Sequence, residues 1–246
     1  MNKTRSKGQF PWALMAFLAI GVGIAAVVPY ATFNPANFNS ATARFATETP
    51  LRQAGLYIHA FAGGVALLVG PFQFLARLRN CFPILHRWTG RVYLVGILLG
   101  GLSAFLIAPG IRSGMVGEFG LILLGILWLW TGWMAYSNIR AGNVEVHREW
   151  MTRNYALTFA AVTLRLWLGI LIGTQIPLLE TRYGGDFEAL FTEVYRVVMW
   201  ISWVPNLIVA EMLVERRRNR QVSGQRTQAA APKERINVPL PEAEQI

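Results

Sequence analysis

The sequence predicts an all-α polytopic transmembrane bundle of six spans. Three observations carry that reading: an apolar composition, six long apolar runs, and a one-sided distribution of Lys and Arg. Of 246 residues, 54% are hydrophobic and 15% charged, with a mean hydropathy of +0.37. Soluble domains carry about a quarter charged residues. A hydrocarbon core of about 30 Å needs roughly 20 apolar helical residues. Six runs meet or approach that length: Phe10 to Tyr30, Gly55 to Ala76, Val92 to Ala108, Phe119 to Ser137, Tyr155 to Ile176, and Val194 to Leu213. The sixth has Arg196 and Glu211 near its ends and is interrupted by Pro205. The first follows Lys3, Arg5 and Lys7, as a signal peptide would. Its apolar stretch is too long for a usual signal and lacks a small-residue cleavage site, so a retained helix is expected.

Loop charges orient the bundle. The N-terminus carries Lys3, Arg5 and Lys7; the second-to-third loop has Arg77, Arg79, Arg87 and Arg91; the fourth-to-fifth has Arg140, Arg148 and Arg153. With the basic tail, seventeen Lys and Arg fall on that side against five on the other (Arg44, Arg52, Arg112, Arg182 and Arg196), and Arg165 lies within the membrane. By the positive-inside rule this predicts the cell inner membrane with both termini cytoplasmic. Residues 1–9 form the cytoplasmic N-terminus, 10–214 the bundle, and 215–246 a disordered basic tail. The net charge of +10 sits beside apolar segments rather than on a polar domain, which argues for membrane lipids and against nucleic acid as partners. The single cysteine, Cys81, excludes a disulfide framework and a multi-thiolate metal site.

Small residues mark the packing faces. The third run has Gly96, Gly100, Ala104 and Ala108 four apart, and the second has His59, Gly63, Ala66, Gly70 and Gln73 on one face. Such a face serves a helix–helix contact, or a flat wall for a planar ring such as a porphyrin or quinone.

Two loops echo each other. HRWTGRVY (His86 to Tyr93) enters the third run and HREWMTRNY (His147 to Tyr155) enters the fifth. This predicts that helices two and three repeat as helices four and five, about a pseudo-twofold along the membrane normal. Pro83 suits a first helical turn and Asn143 an N-cap. If the fifth helix starts there, His147, Met151, Thr158 and Arg165 share a face over five turns. Arginines in a first turn oppose the macrodipole by about 0.3–1 kcal/mol each, so two such starts side by side form an anion-seeking surface. The plainer reading is topology setting, pairing with lipid phosphates, and interfacial Trp and Tyr. It does not explain why His recurs at matched positions.

Arg165 lies twelve residues beyond Arg153, roughly 18 Å deeper along a helix, where a charge costs about 2.5–3.5 kcal/mol on insertion scales. Its candidate partners are Ser103, Thr131, Ser202, carbonyls freed near Pro205, or an anionic or carbonyl-bearing ligand. Gln73, with Arg77, extends the cytoplasmic cluster.

The runs HAFAGGVALLVGPFQFLARLR, HRWTGRVYL and HREWMTRNYALTFAAVTLRL together resemble the bacterial predicted membrane-protein family called domain of unknown function 2306. The resemblance covers roughly Leu56 to Leu166 and implies a multi-pass membrane protein. It implies no catalytic residue; His59, Gln73, His86, Arg87, Arg91, His147, Arg148, Trp150, Arg153 and Arg165 match the family pattern.

Three functions are open. A redox protein would bind one haem b, with His86 and His147 as axial ligands and arginines on the propionates, or a quinone. Three histidines exclude a two-haem bis-His cytochrome. A carrier would hold a small anion or lipid headgroup through His59, Gln73, His86, Arg87, Arg91, His147, Arg148, Arg153 and Arg165. A scaffold or assembly factor would need no chemistry. No serine–histidine–acid set, phosphate loop, carboxylate pair or zinc spacing is present, which argues against hydrolase and nucleotide-driven roles.

Overall fold

Each apolar run falls largely within a helical crossing, the second running past the helix end at Gln73, and most of the helices extend beyond their run into polar flanks. The computed structural model describes residues 9–38 and 41–230. The helices are α1 (Gln9–Val27), α2 (Pro50–Gln73), α3 (Ala76–Cys81), α4 (Pro83–Ile107), α5 (Gly114–Arg140), α6 (Val144–Thr158), α7 (Ala160–Gln175), α8 (Leu179–Tyr183), α9 (Phe187–Ile201) and α10 (Val204–Ala230). No strand occurs among the described residues, and six crossings are long and apolar enough to span a membrane, the fifth and sixth each built from joined helices. Prolines open α2 and α4, where a missing N–H costs nothing. Asp186 caps α9 by accepting from the N–H groups of Glu188 and Ala189. Asn143 stands at the α6 N-cap position, but its side chain makes no cap bond, contrary to expectation.

The fifth crossing departs from the single helix expected. It breaks at Phe159, where the Val162 N–H turns to the Phe159 carbonyl instead of continuing the ladder. Thr158 and Thr163 bond back to the carbonyls of Asn154 and Phe159, and such back-bonding bends helices. His147 and Arg165 are therefore not joined by one uninterrupted helical stripe. The sixth crossing breaks at Ser202–Trp203, just before Pro205, as its proline implied.

The bundle ends at Glu211, and Met212 begins a second unit. Helix α10 runs on to Ala230, so residues 215–230 are helical rather than disordered. Arg and Gln are the commonest residues of that stretch, and adding good helix formers to an existing helix is cheap. Lys3, Arg5 and Lys7, and residues 231–246 of the tail, lie outside the described residues.

Helices α2 and α4 form the closest pair, antiparallel along their small faces. A Cβ on Gly96 would meet the Ala62 carbonyl at 2.9 Å, and one on Gly100 would lie 3.5 Å from the Gly63 nitrogen. Gly55 faces Leu106 at one end of this seam, and Gly90 faces Gln73 at the other. The small-residue ridges thus serve helix packing.

The two His-Arg elements share more than letters. Arg91 stacks on Trp88 and Arg153 on Trp150, each 4.7 Å from guanidinium carbon to ring centroid. Two residues on, Tyr93 and Tyr155 pack against each other with centroids 6.4 Å apart. Tyr93 OH donates to Asn154 Oδ1 (2.7 Å) and pairs with Thr158 Oγ1 (2.8 Å). Trp128 Nε1 donates to Thr158 Oγ1 (2.8 Å), and Asn154 Nδ2 to the Trp128 carbonyl and Thr131 Oγ1 (both 2.8 Å). All five side chains are buried, so this network ties α4, α5 and α6 together in the core.

Candidate functional site

A cavity of about 480 Å³ lies inside the bundle, within the size range of small-molecule sites. Helix α2 contributes His59, Gly63 and Gly64; α7 contributes Arg165; Phe191 and Tyr195 come from α9 and Trp128 from α5. Tyr30, Thr42 and Phe45, from the segment between α1 and α2, line it as well. Its walls are mostly apolar and aromatic.

His59 is held by α4. Its Nδ1 lies 2.9 Å from the Gly100 carbonyl oxygen. A carbonyl only accepts, so in the neutral ring Nδ1 carries the proton and Nε2 keeps its lone pair. The glycine at position 100 lets α4 come close enough for this bond. Arg165 lies within electrostatic reach of His59, Tyr30 and Tyr195. It is exposed, lines the cavity, and donates from Nη1 to the Ala161 carbonyl one turn back (2.8 Å). It forms no ion pair among the described residues. Of the partners expected for it, Ser103 bonds the Gly100 carbonyl and Thr131 the Leu127 carbonyl. Ser202 lines the same cavity.

Four other polar side chains of the cavity pair with one another. Tyr30 OH donates to Thr42 Oγ1 (3.1 Å), and Trp128 Nε1 to Thr158. Over Phe45, the guanidiniums of Arg44 and Arg52 lie 5.9 and 5.3 Å from the ring centroid, and both pair with Glu48 (3.0 and 2.7 Å). The hydrogen bond from Arg44, with Arg52 beside it, holds the Glu48 carboxyl below the usual carboxylate range.

The remaining sequence candidates sit at the other end of the α2–α4 seam. Gln73 is fourteen residues beyond His59, about 21 Å along the helix axis, and donates to Thr89 Oγ1 (2.7 Å). His86 and His147 are within electrostatic reach of each other. His147 Nδ1 is bound to the Ala135 carbonyl (2.8 Å), whereas His86 Nδ1 is buried without a hydrogen-bond partner among the described residues. Two of the four candidate arginines there are paired with carboxylates. Arg153 makes a bidentate pair with Glu211 (2.6 and 2.8 Å) and Arg148 pairs with Glu145. Arg91 is stacked on Trp88, and Arg87 is exposed. No group of three or more metal-ligating side chains occurs among the described residues.

The candidates therefore form two sets. His59 and Arg165 share the cavity; Gln73, His86, Arg87, Arg91, His147, Arg148 and Arg153 belong to the basic end. Tyr30, Thr42, Trp128 and Tyr195 were not singled out from the sequence as cavity residues. Tyr30 and Tyr195 lie near span ends, where Tyr reads as an interfacial anchor, and neither Trp128, in the middle of its run, nor Thr42 carries a sequence signal for a cavity.

Six helical crossings, with a histidine and an arginine facing an interior cavity, define a polytopic α-helical membrane protein. The model of the family described as predicted membrane protein (DUF2306) matches residues 56–214, and the chain belongs to that family. The match includes His59, Arg165 and both His-Arg elements but not α1 or the segment carrying Phe45. No curated protein and no solved structure matches this chain.

Proposed function

We propose that this protein binds, within the membrane, a small and largely apolar molecule whose head carries a carbonyl or carboxylate oxygen. Ring compounds of the quinone and quinol type are the class that fits best. One observation carries the reading: Arg165 has no carboxylate partner among the described residues, yet its side chain lines an apolar cavity shared with His59. A guanidinium within a span is costly unless something pairs with it. The same reading disfavours the basic end as an anion site, because Glu211 and Glu145 already occupy Arg153 and Arg148.

The test uses Gly63. A Cβ there meets nothing within 4 Å, so Gly63→Leu adds bulk on a cavity-lining residue and replaces a poor helix former. The wild-type protein in detergent should melt higher with a short-tailed benzoquinone. At a hundred times its dissociation constant the gain is about 2.7 kcal/mol. Gly63→Leu should keep or raise the ligand-free melting temperature and lose the gain. An equal gain in both proteins would move the site elsewhere.

A second reading rests on His59 alone. A ring nitrogen donating to a backbone carbonyl is the usual state of a metal-bound histidine, which suits a single haem. A Soret band in the purified protein that vanishes in His59→Ala would favour it over the quinone.

For orientation, the charge asymmetry supports an inner-membrane location with both termini cytoplasmic, leaving the cavity in the outer half. Reporter fusions at Ser113 should read outside and those at Asn143 and Gln221 inside. An outside signal at Gln221 would reject six spans with this orientation.

A further inference from the structure

We infer that the ligand of this cavity is hydroxylated, presenting two oxygens of opposite hydrogen-bond character: a hydroxyl that donates to His59 Nε2 and an acceptor that receives from Arg165. This inference rests on the cavity reading above. The Gly100 carbonyl fixes the proton of the neutral His59 ring on Nδ1, so Nε2 accepts and cannot donate. A guanidinium only donates. A molecule with two bare carbonyls would leave Nε2 facing a lone pair, and a simple fatty acid would leave it facing hydrocarbon. Most other polar side chains around the cavity are already engaged. Tyr30 is bonded to Thr42 and Trp128 to Thr158. The Tyr195 hydroxyl can donate or accept and so does not discriminate.

The walls specify the rest of the molecule. Phe45, Trp128 and Phe191 supply aromatic rings, and Gly63, where a Cβ would meet nothing within 4 Å, leaves open space beside α2. Offset and edge-on ring contacts favour an aromatic ligand over an aliphatic one. The class is thus a ring bearing a hydroxyl and a second, accepting oxygen, as in a benzoquinol or a hydroxybenzoate. A single ring with a short substituent suits a cavity of about 480 Å³.

Two matched probe pairs test this on the full chain in lipid nanodiscs. One pair is a short-tailed benzoquinol and its quinone, and the other is 4-hydroxybenzoate and benzoate. The hydroxylated member of at least one pair should bind roughly tenfold tighter, the worth of one well-made hydrogen bond. Preference within the quinol pair alone names a quinol, and within the benzoate pair alone a hydroxy acid. In His59→Phe the preference should vanish, while binding of the hydroxyl-free member is retained. His59→Gln should keep part of the preference, because an amide can hold the Gly100 carbonyl with its N–H and accept with its oxygen. A ligand-free melt establishes that each variant is folded. Equal affinities within both pairs, or a preference that survives in folded His59→Phe, overturns the two-oxygen inference and leaves the cavity reading standing. If none of the four probes binds, the cavity reading itself fails.

Discussion

Arg165→Leu should keep the helical content of the protein and lose the stabilisation that a short-tailed benzoquinone gives. Without ligand the variant should melt at or above the wild type, because leucine removes an insertion cost of about 2.5–3.5 kcal/mol and, among the described residues, the bond lost is to a carbonyl of its own helix. With saturating probe, the gain of about 2.7 kcal/mol at a hundred times the dissociation constant should fall to near zero. Arg165→Lys separates charge from geometry. It keeps the positive charge but not the planar fork, so it should not restore binding if the head oxygens are held by the guanidinium. Full ligand stabilisation in Arg165→Leu would remove Arg165 from the site. A collapse of the ligand-free melt would instead make it structural.

The largest expected loss of stability is at Asn154. The residue is fully buried; its amide donates twice, to the Trp128 carbonyl and Thr131, and accepts from Tyr93. Asn154→Ala strands those partners in a site that excludes water, at about 1–3 kcal/mol for each group left unsatisfied. The total expected is on the order of 3 kcal/mol, read as a lower melting temperature in detergent. Trp128 lines the cavity and is held by Thr158 within the same network, so ligand affinity should fall as well. A change within about 0.5 kcal/mol, the range of ordinary surface substitutions, would mean that water or rearranged side chains replace the amide.

The bilayer made much of this architecture readable. Spans must be long, apolar and internally hydrogen-bonded, so length and charge placement suffice to count them. The same logic failed where local chemistry competes with the ladder. Thr158 and Thr163 are unremarkable in a hydrophobicity pattern, yet their back-bonding marks the break at Phe159. The helical continuation to Ala230 was missed because a polar composition says what a segment cannot bury, not whether a preceding helix propagates into it.

For the site, residue identity was legible and partnership was not. His59 and Arg165 are legible as polar residues in apolar runs, and Arg165 as one deeper than the basic end, but nothing in the sequence shows that the two share a cavity. Only the antiparallel register of α2 on α4 sets His59 beside Gly100, far from Gln73. Arg153 read as a free anion-binding group, and the carboxylate that pairs with it, Glu211, lies 58 residues away. The cavity itself is a space between chain segments, partly closed by residues that precede α2, and no periodicity reports it. By contrast, the paired His-Arg elements were visible as letters, and their Trp–Arg stacks match in geometry.

The most direct test of the central claim is where a ligand touches the chain. A benzoquinone carrying a small photoreactive diazirine, crosslinked in native membranes and mapped by peptide mass spectrometry, reads that location without assuming an activity. Adducts are expected on the cavity-lining stretches of α2 from Leu56 to Gly64 and of the fifth crossing from Leu157 to Leu168, competed by unlabelled quinone and absent from Gly63→Leu. Competed adducts confined to the Arg87, Arg91 and His147 region, with the cavity stretches unlabelled, would contradict the account.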